Sequence, residues 1–176
     1  MSRSLGILKV VLVLAVDFAA LCSLFQSPWA ASAAVGILAL YVLFGGYPAL
    51  LREGAVGSAK LPAHQRRRLE AAKAQLTADI RSSGGSGISG LKLYLVPDDD
   101  ELNATAYGSN CISVTRGTLD YADPLTLNAV LAHEVSHIQN LDPEFNRAVF
   151  CSVTLLMAAL SILSFAAMAV IFVLFL

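Results

Sequence analysis

Charge is what this sequence has least of. Charged residues make up 14% of its 176 positions, against about 25% in an ordinary soluble domain. The shortfall is also uneven. Apart from Arg3, Lys9 and Asp17, every Lys, Arg, Asp and Glu lies between Arg52 and Arg147. The chain is therefore apolar, then polar, then apolar, which excludes an ordinary soluble domain and points to membrane segments. Cysteine is equally sparse. Cys22, Cys111 and Cys151 form no C-x-x-C pair, which excludes a disulfide framework and suits free thiols in a reducing compartment. A lone Cys111 could act as a nucleophile, but a small apolar residue in a strand is the preferred reading. There is no basic excess either. The net charge of −1 leaves no footprint for nucleic acid, which is not expected as a partner.

Three long apolar runs account for what is present. Residues 5–25 and 29–51 are each about the 20 residues that cross a bilayer, and only Gln26, Ser27 and Pro28 separate them. A tight antiparallel hairpin is expected, with Trp29 and Tyr47 at the interfaces. The first run is not a signal peptide, because a second run follows at once and no A-x-A site closes it. The third run, residues 150–176, carries no charge and ends without the polar flank that ordinarily follows a spanning helix. Asp17 sits in the middle of the first run, as a functional carboxylate or as a packed one. Lys9 is placed to snorkel to headgroups. Arg3 before the hairpin and Arg52, Lys60, Arg66, Arg67 and Arg68 after it put the N-terminus and the polar middle in the cytoplasm.

In the middle, residues 62–81 read as a helix with Leu69, Ala72, Leu76 and Ile80 on one face. Residues 82–90 read as a Gly/Ser loop, and 91–96 as a strand stopped by Pro97. Residues 98–101 form an acidic turn, and residues 103–118 hold one or two further strands. Residues 124–141 read as a helix with Asp123 as N-cap, Pro124 at its first position and Pro143 as its stop. The run Gly85-Ser86-Gly87-Ile88-Ser89-Gly90 fits G-x-G-x-x-G, but a helix precedes it and a strand follows, the reverse of a dinucleotide site. The acidic turn lacks the spacing of a calcium loop. Arg66, Arg67 and Arg68, just beyond a membrane helix, suit anionic lipid headgroups.

The chemistry is concentrated in His133-Glu134-Val135-Ser136-His137, an H-E-x-x-H motif. Four residues along a helix amount to about 6 Å of rise and about 40° of rotation, so both imidazoles share a face and can reach one Zn2+. Glu134 then lies beside the metal-bound water as general base without being a ligand. Leu127, Val130, Leu131, Ile138 and Leu141 form an apolar flank that would bury the helix. The bland alternative is a buried polar face with no metal. Local candidates for a third ligand are poor. On a continued helix Asp142 would point about 140° away from the histidines and Glu144 would lie about 10 Å further on, while His64 belongs at a surface beside three arginines.

The stretch from Leu127 to Asp142, L-N-A-V-L-A-H-E-V-S-H-I-Q-N-L-D, resembles the active-site helix of HtpX-like membrane metalloproteases, which are related to the CAAX prenyl proteases. Asn103-Ala104-Thr105-Ala106-Tyr107-Gly108 resembles that family's N-A-F-A-T-G segment. Ile112-Ser113-Val114-Thr115-Arg116-Gly117-Thr118-Leu119 resembles its V-A-V-S-T-G-L-L segment. The resemblance implies a zincin-like α+β catalytic domain with transmembrane α-helices, facing the bacterial cytoplasm from the inner membrane and degrading damaged or misfolded membrane proteins. It also implies zinc as cofactor and places Asn103, Ala104, Thr105 and Ala106 on a substrate-binding strand. Thr105 stands where the family has an aromatic residue and Tyr107 where it has Thr. The implied third ligand is a Glu on a later helix, beyond Leu176.

The expectation is a multi-pass zinc endopeptidase in three parts: a transmembrane hairpin (1–51), a catalytic domain (52–148) and a transmembrane helix (149–176). Its partners would be the lipid bilayer and protein or peptide substrates, with a homo-oligomer or a partner chain as a further source of the third ligand. The rival reading is a non-catalytic membrane binding or assembly protein that keeps a degenerate H-E-x-x-H helix. Metal content separates the two.

Overall fold

The computed structural model describes residues 3–82, 88 and 90–175. The predicted hairpin is present. Helix α1 (Arg3–Phe25) ends where Gln26 takes a positive φ of 53°, and Ser27 caps α2 (Pro28–Phe44) by accepting from the Ala30 N–H. The second apolar run, expected as one span over 29–51, is instead broken. After Phe44 the chain turns at Gly45 and restarts as α3 (Gly46–Arg52). Pro48 supplies the reason, because it has no N–H for the Phe44 carbonyl four residues back and its ring crowds that carbonyl. Arg147 covers part of the exposed end, donating from Nε and Nη2 to the Val42 carbonyl at 3.2 and 2.9 Å.

The third run begins earlier than its apolar residues suggest. Helix α7 spans Asp142–Leu174, 33 residues. At 1.5 Å per residue it is about 50 Å long, more than a hydrocarbon core of about 30 Å requires. By length and composition two helices can cross a membrane, residues 4–25 within α1 and α7 itself, while Pro28–Phe44 is a shorter apolar helix. Asp17 is fully buried between α1 and α7, where the Ser152 hydroxyl donates to its Oδ1 at 2.5 Å. Lys9, expected at the headgroups, holds its ammonium 5.5 Å from the centre of the Phe145 ring.

Between the apolar helices the chain builds a four-stranded sheet of order β1-β2-β4-β3. Its strands are β1 (Val56–Gly57), β2 (Lys92–Val96), β3 (Ala104–Tyr107) and β4 (Cys111–Thr115). β2 and β4 are parallel, whereas β1 and β3 pair antiparallel at the two edges. One face is covered by α4 (Ala63–Ser82) and α6 (Pro124–Gln139), burying Leu69, Leu76, Leu93, Ile112, Val114, Leu131 and Val135 together. The other face packs Val96, Tyr107 and Cys111 against Leu50 of α3 and Ala55. All five residues of β4 are buried, as period-2 alternation requires of a strand covered on both faces. The loop expected at 82–90 falls largely on residues 83–87 and 89, outside the described residues, as does the Tyr47 side chain.

Some short elements escaped sequence reading, β1 and α5 among them. β1 is only two residues long. Residues 116–118, expected as strand, open a short helix α5 (Arg116–Tyr121). Thr115 ends the strand by capping that helix, its hydroxyl accepting from the Thr118 N–H. The same hydroxyl lies 2.6 Å from the Glu101 carbonyl and accepts from the Asn103 N–H at 3.1 Å. The acidic turn is held by this region. Arg116 donates to both Asp100 carboxylate oxygens, at 2.7 and 2.6 Å. That guanidinium holds the Asp100 carboxyl below its usual range. A Cβ on Gly117 would sit 2.1 Å from the Asp100 carbonyl oxygen, so only glycine admits the turn.

The buried Thr115 hydroxyl therefore anchors a helix cap and the start of β3 together. Thr115→Val keeps the shape and removes the oxygen, leaving buried donors unpaired. The expected cost is about 1–3 kcal/mol, read as a lowered thermal midpoint in detergent micelles.

Candidate metal centre and substrate cleft

Helix α6 is fixed at its start by Asp123, as predicted. Oδ1 accepts from the Leu125 and Thr126 N–H groups at 2.9 and 3.1 Å, and Oδ2 accepts from the Thr126 hydroxyl at 2.6 Å. These bonds hold the Asp123 carboxyl below its usual range. Leu127, Leu131, Val135 and Ile138 bury one face. Val130, expected in that flank, instead lines a cleft, and Leu141 lies beyond the helix. Polar ties fasten this region to α4: Arg68 donates to the carbonyl of Ala122, the C-cap of α5 just before α6, and Asn128 Nδ2 of α6 donates to Asp79 Oδ2 at 2.6 Å. With that face buried, His133 is exposed on the far side of the helix, while Glu134 and His137 are half-buried at its flanks.

The two imidazoles converge as the spacing predicts. His133 Nε2 and His137 Nε2 are 3.1 Å apart, with the rings edge-on at 87°. A tetrahedral zinc with bonds of about 2.0–2.1 Å has ligand atoms about 3.3 Å apart, so the separation fits one edge of that tetrahedron. A Glu134 carboxylate oxygen completes a cluster whose ligand atoms all lie within 4.8 Å of one another.

Asp142 overturns the geometric expectation. Its Oδ2 lies 2.8 Å from His137 Nδ1. The helical extrapolation fails because α6 stops at Gln139 and Leu141 adopts φ 59°, ψ 29°, which swings the chain back toward the histidine. Pro143 is likewise not the stop. It occupies the first turn of α7, where a missing N–H costs nothing. Asp142 thus holds the far nitrogen of His137 and leaves Nε2 as the lone-pair donor, the arrangement of carboxylate–histidine–zinc triads. Neither Glu144 nor His64 joins the cluster. Glu144 is buried in the first turn of α7, its Oε1 3.7 Å from Arg147, and His64 is exposed on α4. The donor set among the described residues fits zinc through its two histidines.

The break at Leu141 is held from the membrane side. A Cβ on Gly6 of α1 would sit 2.2 Å from the Asn140 carbonyl oxygen and 3.1 Å from Leu141 Cβ. Sequence reading missed this contact, and a glycine in an apolar helix was its one signal.

Beside Glu134 a cleft of about 410 Å³ is lined by Leu102, Asn103, Ala104, Tyr121 and Val130, among others. Of the four residues expected to bind substrate, Asn103 and Ala104 line it. Thr105 lies opposite Ser113, and the Ala106 side chain is in the core opposite Ile112. Their backbones carry a second message. The Thr115 N–H donates to the Asn103 carbonyl, and antiparallel ladders alternate. The main-chain groups of Thr105 and Tyr107 therefore face β4, and those of Ala104 and Ala106 face the open edge. Tyr107 donates its hydroxyl to Glu53 Oε1, tying β3 to the end of α3. Burial first, and then that carboxylate, push its phenol above the ordinary range. The Cys111 thiol is buried and pushed up by that burial, which suits a packed residue and not a nucleophile.

An H-E-x-x-H helix lying against the edge strand of a small mixed sheet defines a zincin-like metallopeptidase domain. The chain belongs to peptidase family M48, whose profile matches residues 64–175. Among curated proteins it is similar to the Protease HtpX homolog of Dictyoglomus thermophilum, at 46% identity over 61 residues, covering 32% of this chain and 20% of that protein. The Protease HtpX homolog of Listeria monocytogenes is 37% identical over 91 residues, 49% of this chain and 28% of that protein. That of Acidiphilium cryptum is 37% identical over 78 residues, 42% and 27% respectively. The matched stretches thus span between 20% and 28% of these relatives' length. No solved structure matches.

Removing the Asp142 carboxylate as Asp142→Ala frees the His137 ring. Zinc affinity, measured by competition against a chelating dye, is expected to fall about 10–100-fold. Gly6→Leu, which forces Asn140 and Leu141 away from α1, is expected to lower zinc affinity in the same assay although residue 6 ligates nothing.

Proposed function

We propose that this chain forms the membrane-held catalytic part of a zinc endopeptidase that cleaves membrane or misfolded proteins. The observation that carries the reading is the convergence of His133 Nε2 and His137 Nε2 beside Glu134, in a cleft that opens along β3. Bound there, zinc supplies Lewis acidity for a peptide carbonyl and lowers the pKa of a coordinated water. The chain's own residues do the rest. His133 and His137 hold the metal, and Asp142 keeps the His137 ring in one tautomer and orientation. Glu134 accepts the proton of the attacking water and returns it to the leaving amine. The open backbone groups of Ala104 and Ala106 pair with an extended substrate by strand addition. A third ligand, which catalytic zinc sites use, is a carboxylate from further sequence of the protein, a second copy or a partner chain.

The exposed apolar surfaces of α1 and α7 support the reading of a multi-pass protein seated in a bilayer. By the positive-inside rule the sheet and cleft lie on the cytoplasmic side of the bacterial inner membrane.

Glu134→Gln keeps the shape of the site and removes the base. Proteolysis of casein by the full protein is expected to drop by about 10²–10⁴-fold while metal analysis still finds zinc. Undiminished cleavage would remove Glu134 from the mechanism. Ala71→Cys, at an exposed position on α4 and in a chain stripped of native cysteines, is expected to resist a membrane-impermeant thiol reagent in intact cells and to react after lysis. Labelling in intact cells would reverse the topology.

A further inference from the structure

On the β1 side of the sheet a second cavity, of about 430 Å³, shares no residue with the substrate cleft. Three lysines line it: Lys60 just before α4, Lys73 on α4 and Lys92 at the start of β2. Among the described residues none of the three forms an ion pair with a carboxylate. Glu70 is the only acidic side chain in the lining, so the cavity carries a local excess of two positive charges. Its other wall is apolar, built from Leu51, Ala55, Val56 and Leu93. In a protein of net charge −1, such a concentration of unpaired lysines is a local device.

Position decides the ligand. Leu51 belongs to α3, the short helix that follows the apolar α2 directly, and its side chain is 52% exposed. The apolar wall therefore begins seven residues past the end of the apolar α2, and the lysines come from polar elements that follow it in the chain. A cavity basic at one side and apolar at the other, at that level, matches a glycerophospholipid, with its phosphate against ammonium groups and its acyl roots against leucine and valine. Lysine binds phosphate as a compact point charge, and anionic lipid at the cytoplasmic surface attracts such clusters. We infer that this cavity is a binding site for the phosphate group of an anionic phospholipid, held by Lys60, Lys73 and Lys92.

The test uses the full chain in nanodiscs of phosphatidylcholine with increasing phosphatidylglycerol, with bound lipid counted by native mass spectrometry after gentle detergent release. The wild-type chain is expected to retain phosphatidylglycerol over phosphatidylcholine. The triple variant Lys60→Gln/Lys73→Gln/Lys92→Gln is expected to lose about tenfold or more in apparent affinity. A charge-matched control, Arg66→Gln/Arg67→Gln/Arg81→Gln, leaves the cavity lysines in place; it removes diffuse attraction to headgroups and is expected to lose clearly less retention than the lysine triple variant. The single reversal Lys60→Glu, at an exposed position, is expected to weaken retention in the same direction and guards against misfolding of the triple variant. Equal loss in the arginine control would mean diffuse attraction and overturn the site, as would unchanged retention in the lysine variants. Displacement of the lipid by an equal concentration of inorganic phosphate would overturn the lipid as the source of that phosphate.

Discussion

The geometry of the H-E-x-x-H site hangs on one backbone conformation. Leu141 takes a left-handed φ of 59° between α6 and α7, a conformation that costs a non-glycine residue about 1–3 kcal/mol unless its surroundings impose it. Here they do. The close approach of Gly6 presses α1 against the Asn140 carbonyl and Leu141, and the result is Asp142 Oδ2 at 2.8 Å from His137 Nδ1. One turn of strained backbone thus links the apolar helix α1 to the orientation of the His137 imidazole. The same break starts α7, so the H-E-x-x-H helix and a helix long and apolar enough to cross a membrane are separated only by Asn140 and Leu141.

The membrane helices are fitted to each other by the few polar groups they contain. Asp17 accepts from Ser152 in the buried seam between α1 and α7, which favours a packed role for that carboxylate. Within hydrocarbon such a bond is hard to exchange for water, so it fixes the register of the two helices. Arg147 serves the end of α2 in the same way, covering a carbonyl that the break at Gly45 leaves without a helical partner. The register set at Asp17 is what brings Gly6 level with Asn140.

On the sheet side, Thr115 has the comparable role. Its hydroxyl caps α5, accepts from Asn103 and meets the Glu101 carbonyl. The open edge of β3 is therefore fixed at the end nearest Glu134. Tyr107, at the other end, is tied to Glu53 beyond α3. An edge strand held at both ends presents its outward amides in one register, which is what strand addition by a substrate needs.

The sequence by itself determined the elements whose signal is periodic or compositional. The hairpin, α4, α6 with its Asp123 cap, and the pairing of His133 with His137 all follow from local rules, because helical spacing alone carries i to i+4 onto one face. It also sufficed for β3 and β4, up to the point where Thr115 turns from strand to cap. What it could not give were interactions between residues far apart in the chain. Gly6 lies 134 positions before Asn140, and Asp17 lies 135 before Ser152. Asp142 was misjudged because extrapolating a helix assumes its backbone continues, whereas the chain leaves the helix at Leu141 under contacts that no local pattern encodes. Spacing decided which residues can bind a metal. Tertiary packing decided which carboxylate orients the ligand, which strand is left open, and where the lysines gather, because each depends on a surface supplied by another part of the chain.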